Sequence, residues 1–445
     1  MKRLIGVVLV SIAVAGTLVL PANAQPATRR VSFADVATAV VQNNLQLRAA
    51  ALDVTVAQAQ LAQAQGGRLP QVGLSGSYAR NQERPGQTIS FANPFGPTPP
   101  VITIAFPAAD PNIYAARLGL SYPLYTGGRL EAQIALAQAN LRGAEATFNR
   151  AKQQVVYSAQ QIYLQGLLAA ENIAAARRAL ETANESLRVA QARFTTGAAP
   201  QFDVLQAEVA VANAEQSLVR AQTGAASAQI NLNAALNLGQ DTALELTDTL
   251  APWPVDGTLA DAIARALRDR PDLVAFRNQI AAAQASIDVA ASGGRPIVSL
   301  GAGYDLNNAN GQSTGVFGSW SVTLGVTLSV FDGGITQAKI REAQVRLEQL
   351  KVREAQTRQQ IELDVRQAWL ALQQAAGELA AATKAVEQGR EAARLAGVRY
   401  QAGVGTSLEL LTAQSTLASA ELSLASARFS QNAARIQLIL ATGSV

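Results

Sequence analysis

Residues 319–334 read SWSVTLGVTLSVFDGG. From Ser319 to Phe331 the stretch alternates without a fault. Trp320, Val322, Leu324, Val326, Leu328 and Val330 share one face, while Ser319, Ser321, Thr323, Gly325, Thr327 and Ser329 share the other. Bulky apolar side chains thus stand on one side of a strand and small polar ones on the other. A half-buried strand of a soluble domain has the same pattern, but about 9–11 tilted residues are what a bilayer-spanning strand needs. The dozen-residue length, the tyrosines on the apolar face of its companions and an export signal favour the membrane reading.

Three companions repeat the pattern. Leu118, Leu120, Tyr122 and Leu124 stand opposite Gly119 and Ser121, and Val72, Leu74 and Tyr78 match Val298, Leu300 and Tyr304 at an offset of 226 residues. These runs predict four membrane strands in two hairpins. Four strands leave two open edges, which lipid does not tolerate, and single-chain barrels begin at about eight strands. The barrel is therefore expected to be shared between subunits, with two, three or four copies all satisfying the requirement.

The pairing belongs to a chain-long duplication. Leu124-Tyr125-Thr126-Gly127-Gly128 aligns with Val330-Phe331-Asp332-Gly333-Gly334 at an offset of 206, and at the same offset RFTTGAAPQFDVLQAE (from Arg193) aligns with RYQAGVGTSLELLTAQ (from Arg399). Nearer the start, FADVATAVVQNNLQL (from Phe33) resembles LADAIARALRDRPDL (from Leu259) at 226. The change of offset places twenty extra residues in the first half. Glu83 to Asn112, with seven prolines, is expected to hold them as a long surface loop, against a short polar turn from Asn307 to Gly315.

Between the strands and the second motif lies uninterrupted helical pattern. Arg129 to Phe194 carries no proline over 66 residues, about 100 Å of helix. Ile134, Leu141, Phe148, Val155 and Ile162 keep heptad spacing, then Ile173, Leu180, Leu187 and Phe194 resume it after an eleven-residue step; Ile340, Leu347, Ile361, Leu379, Val386 and Tyr400 do so in the copy. The glycine pairs mark strand-to-helix joints; a phosphate loop would carry a lysine that is absent here.

The expected layout is a signal peptide over 1–24, a first repeat over 25–257 and a second over 258–445. The first repeat holds a β-hairpin at about 70–125, a long helix 129–194, a return helix 201–238 and an irregular collar 239–257. The second holds a hairpin at about 296–331, a long helix 335–400 and a return helix 407–440. Met1-Lys2-Arg3, an apolar run and Ala22-Asn23-Ala24 form the export signal.

Composition narrows the function. There is no cysteine and no histidine, so disulfides, thiolate sites, the commonest metal ligand and the usual general base are all missing. An enzyme, a cofactor and a metal site are not expected. The formal charge of +4 falls to +2 without Lys2 and Arg3, and no basic block suggests nucleic acid. Only 15% of residues are charged, so much of the surface is expected to meet helices or lipid.

On these motifs the chain resembles the TolC-type outer-membrane efflux protein family. The resemblance rests on the duplication, the joints LYTGG and VFDGG, and the two helix-ending motifs, each present twice and in order. It implies an α+β membrane protein, a homotrimer with a twelve-stranded outer-membrane β-barrel and a twelve-helix α-barrel extending into the periplasm. It also implies a passive exit duct of a tripartite efflux or type I secretion system, set in outer-membrane lipid. Its implied partners are a periplasmic adaptor (membrane fusion protein) and an inner-membrane pump of resistance-nodulation-division, ABC or major facilitator type. A stand-alone porin-like channel and a structural coiled-coil envelope protein remain as alternatives.

The resemblance places the helix-ending motifs at the periplasmic tips. Gly197 and Gly403 supply the left-handed turn. With Pro200, Val404, Gly405 and Thr406 they are the expected adaptor-docking tip, Val404-Gly405-Thr406 matching a family V-G-T segment that the first copy replaces with Ala198-Ala199-Pro200. Asp203, Glu409, Arg193, Arg399, Phe194 and Tyr400 are the gate candidates. Glu409 matches an acidic family position, whereas a second such position is Thr412 here and Gln206 in the first copy. Both acids also read as helix-start residues: Thr406-Ser407-Leu408-Glu409 fits a capping box, and Asp203 lies in a first turn.

Overall fold

The computed structural model describes residues 29–444 except 84, 97, 107, 109–110, 254–256 and 309–315. The expected signal peptide, part of the collar and most of the 307–315 turn lie outside the described residues. In chain order the elements are β1 (Arg29–Val31), α1 (Phe33–Asn43), α2 (Leu45–Gly66), β2 (Gln71–Arg80), β3 (Gln87–Ala92), β4 (Val101–Phe106), β5 (Asn112–Tyr125), α3 (Arg129–Thr195), α4 (Gln201–Ala235) and β6 (Leu244–Leu246). Then come α5 (Leu259–Asp269), α6 (Pro271–Ala291), β7 (Ile297–Asn307), β8 (Phe317–Thr327), α7 (Ile335–Gln401) and α8 (Ser407–Thr442). They divide into two compact units, both of which draw on α3, α7 and α8.

The unit built from 41–161, 252–385 and 427–445 holds the main sheet. Its strand order is β2-β5-β7-β8, all antiparallel. The register puts Val72 opposite Leu120, Leu120 opposite Ala302 and Ala302 opposite Val322, so the apolar sides of all four strands form one face. Leu74 (80% exposed), Trp320 (77%) and Val322 (63%) stand on that face uncovered. Among the described residues β2 and β8 each have a single neighbour, so each leaves a row of backbone donors and acceptors without a strand partner there.

Strand β8 ends at Thr327, short of the Phe331 that the alternation predicts. The reason lies in its partner: Thr327 pairs with Ile297, the first residue of β7, and Leu328 to Val330 find no strand beside them. Both joints then adopt one backbone form, with φ of +66 and +86° at Gly127-Gly128 and again at Gly333-Gly334. This left-handed pair needs glycine; at Gly127 a Cβ would also come within 2.7 Å of the Arg295 Cβ.

The proline-rich segment read as a loop contains a further hairpin. Strands β3 and β4 pair with Ile89 opposite Ile104 and Phe91 opposite Ile102. The β-branched run Val101-Ile102-Thr103-Ile104 favours strand, while Pro94, Pro99 and Pro100 fall in the turn, where a missing N–H costs nothing.

Helical packing in this unit centres on a cluster that includes Ala266, Leu273, Ile361, Val365 and Leu372, together with Leu438 and Ala441. Beside it Arg270, with a 6% exposed side chain, bonds to Asp272 at 2.6 Å and Asp364 at 3.0 Å. Gly443 stands at φ +75°, and a Cβ there would lie 3.1 Å from the Arg270 Cα.

The second unit comprises residues 29–40, 162–251 and 386–426 among those described. Within it the collar is not wholly irregular: β6 pairs in parallel with β1, register Arg30 to Glu245. Tyr163, fully buried, lies with its hydroxyl 2.7 Å from the Asp248 carboxylate and 3.1 Å from the Val31 carbonyl. Burial foremost, and then the bond to Asp248, push that phenol above its ordinary pKa. This polar knot fastens β1 where too few residues exist for a large sheet to do so.

Candidate functional site

The candidate site is the pair of helical turns within this second unit. Helix α3 closes with Ala198 N–H donating to Arg193 O (2.7 Å) and Gly197 N–H to Phe194 O (3.0 Å). Helix α7 closes with Val404 N–H donating to Arg399 O (3.0 Å) and Gly403 N–H to Tyr400 O (3.1 Å). Both are Schellman ends, with Gly197 at φ +73° and Gly403 at +76°. The second turn is tighter. Gly405 N–H also reaches Arg399 O, and a Cβ there would meet the Arg399 Cβ at 3.0 Å. Ala199 stands at the matching place in the first copy, so the two turns are not equivalent.

Two of the gate candidates, Arg193 and Tyr400, meet across the hairpins. Arg193 lies over the Tyr400 ring, 4.5 Å from its centroid, and donates to the Tyr400 carbonyl. Tyr400 is 3% exposed. Its buried hydroxyl lacks a well-formed hydrogen bond, and burial together with the nearby Asp203 charge raises its pKa. Asp203 accepts a 2.8 Å hydrogen bond from Ser407 Oγ, which starts the other return helix. It therefore faces across to the second hairpin, while the N-cap position before it is Pro200, which has no side-chain bond to give.

Glu409 behaves differently. Thr406 Oγ1 accepts from the Glu409 N–H at 3.2 Å, the first half of the capping box. The Glu409 carboxylate lies 3.7 Å from Arg399 Nε, and both side chains are more than half exposed. Arg399 also donates to Val404 O at 3.3 Å. Phe194 remains exposed, as do Phe202, Val404 and Leu408, so apolar side chains stand among the polar ones on the outer surface of the turns.

Further up the hairpins, Ser186 and Gln414 bond to each other at 2.9–3.1 Å. Glu421, with an 18% exposed side chain, lies 3.2 Å from Arg178 and 3.7 Å from Arg390. A groove of about 920 Å³ opens between these levels, lined by Glu181, Arg188, Tyr400 and Gln414 among others. Ser407, Ser186, Gln414 and Glu421 were not singled out by sequence. A serine or glutamine on a polar helix face carries no pattern of its own, and only its neighbour across the hairpin gives it a role. Among the described residues no group of acidic side chains is placed to hold a metal ion.

The sequence model described as Outer membrane efflux protein matches residues 36–238 and 262–444. The chain is 26% identical to outer membrane protein OprJ of Pseudomonas aeruginosa over 418 residues, covering 91% of this chain and 82% of that one. It is 29% identical to protein CyaE of Bordetella pertussis over 334 residues, covering 73% and 70%. In fold it is similar to the crystal structure of a membrane protein from Pseudomonas aeruginosa, with TM-score 0.75, 23% identity and coverage of 92% and 93%. The duplicated chain thus belongs to the outer membrane efflux protein family.

Proposed function

We propose that three copies of this chain close a twelve-stranded barrel in the outer membrane and a helical tunnel beneath it, ending at the paired turns. The protein is an outer-membrane exit duct, through which cargo handed over by an inner-membrane pump leaves the cell passively. The observation that carries a barrel shared between copies is the four-stranded sheet: Leu74, Trp320 and Val322 stand uncovered on its apolar face and, among the described residues, both edge strands have one neighbour; the family resemblance supplies the count of three. Such a sheet in lipid is stable only when its edges are paired with other copies. Native mass spectrometry in detergent should give a trimer that conducts in planar bilayers; a conducting species of any other copy number overturns the closure.

The turns are the proposed gate and docking surface. Asp203 and Glu409 would place six carboxylates at the tunnel mouth, and clustered like charges attract counterions. The joint variant D203N/E409Q should conduct with lower cation selectivity; unchanged selectivity removes these acids from the gate. Gly403, Val404, Gly405 and Thr406, with Gly197 and Pro200 in the partner turn, form the surface offered to a periplasmic adaptor. Crosslinking from position 404 should capture that adaptor, and capture from a position in the sheet but not from 404 would move the docking site elsewhere.

A further inference from the structure

Beyond the turns, the main sheet carries a second charge site, on its small-residue face. In that face the register lines up Ser75, Arg117, Asp305 and Ser319 in one row across β2, β5, β7 and β8. The row beside it is Gly73, Gly119, Gly303 and Ser321. Among the described strand positions of this face, Arg117 and Asp305 are the only charged residues. The remaining positions are mostly glycine, serine, threonine and alanine, so the guanidinium has a low surface around it.

The glycines give that guanidinium its seat. A Cβ at Gly303 would lie 3.3 Å from Arg117 Nη2 and 3.6 Å from its Nε, and a Cβ at Gly119 would lie 3.9 Å from the same Nε. The side chain therefore lies flat across the strand, where a larger residue at 303 would lift it. Its Nε stands 3.6 Å from Asp305 Oδ1, an ion pair longer than a hydrogen bond. The Arg117 side chain keeps 60% of its surface exposed and the Asp305 side chain 32%, so the cation is the more accessible partner.

We propose that Arg117 and Asp305 form the ion-selectivity ring of the barrel lumen, separate from the tip carboxylates, with Arg117 as its determinant for anionic solutes. The inference rests on the barrel reading, in which the apolar face meets lipid and this face the lumen. Inside a pore with low-dielectric walls, field lines from fixed charges are focused, and rings of charged side chains influence which ions pass. Substitutions on a lumen face accordingly tune selectivity with little effect on stability. Because the two charges nearly balance, removing either one unmasks the other.

Reversal potentials in a potassium chloride gradient test this on the full-length channel, with R117Q, D305N and the double variant compared with wild type. D305N should raise the anion-to-cation permeability ratio by about twofold or more and R117Q should lower it by a similar factor. The double variant should return close to wild type. Conducting channels whose ratios are unchanged, or which shift in the same direction in both single variants, overturn the ring. If the wild-type protein gives no conducting trimer at all, the barrel reading itself has failed, which is a different outcome from a conducting channel indifferent to both residues.

Discussion

Ser407 Oγ donates a 2.8 Å hydrogen bond to the carboxylate of Asp203, tying the start of one return helix to the start of the other. The two residues are 204 positions apart in sequence. The bond joins the two turns on which the proposed gate is built, and the half-exposed Arg399–Glu409 pair is a looser, wetter contact beside it.

Removing that hydroxyl should loosen the turns locally. S407A is expected to cost about 1 kcal/mol of local stability, the net contribution of one such hydrogen bond. Faster amide exchange in residues 193–207 and 399–410, with the sheet unaffected, is the measurement. Equal protection in wild type and variant would show that the Asp203–Ser407 bond does not hold the turns together.

Lipid and lumen faces can be told apart by a single charge. Leu324 lies on the apolar face and Thr323 on the small face of β8. L324R should lose about 2–4 kcal/mol of stability near the bilayer midplane, whereas T323R should lose little. Refolding titrations into lipid vesicles compare the two, and equal losses would contradict the face assignment.

Acid should fray one joint and spare the other. Asp332 accepts from Gly334 N–H (3.0 Å) and Thr336 N–H (2.8 Å), capping α7, while Thr126 Oγ1 accepts from Leu130 N–H (3.2 Å) at the matching place before α3. The bonds to Thr336 hold the Asp332 pKa below its ordinary value. A depressed folded pKa means the cap contributes fully above the ordinary aspartate pKa of about 3.9 and is lost as pH falls through the lowered value. Amide protection in the first turn of α7 should therefore fall in strong acid, that of α3 should not, and D332N should abolish the pH dependence.

Arg270 should be irreplaceable by lysine. Its guanidinium engages Asp272 through two nitrogens, at 2.6 and 3.1 Å, and Asp364 through a third. Burial opposes the charge, but these carboxylates outweigh it and raise the pKa. R270A should cost about 2–4 kcal/mol, because two carboxylates lose their common cation at a packed helix start. R270K should recover only part of that, since a point charge cannot fork. The midpoint of chemical denaturation in detergent reports both.

The pattern of residues was enough to find most elements. The alternation from Trp320 to Val326, the proline-free run after Arg129 and the glycines at 127–128, 333–334, 197 and 403 each act through near neighbours, within one strand or one turn. Side-chain period and backbone sterics are local properties, so they can be read along the chain. Where an element needed a partner, reading failed. Strand β8 stops at Thr327 because β7 has begun no earlier than Ile297; β3 and β4 pair across a stretch that composition marks as loop; and β6 is a strand only because β1 lies beside it.

The site divides along the same line. Sequence by itself determined that there are two turns, that glycine makes each of them, and that an acid begins each return helix. Only the tertiary structure decided what those acids face: Asp203 meets Ser407 of the other hairpin, Glu409 meets Arg399 of its own, and Arg193 stacks on Tyr400. Charge and capping propensity belong to a residue and its next three or four neighbours, whereas a cross-hairpin bond depends on which helix face the packed core turns inward.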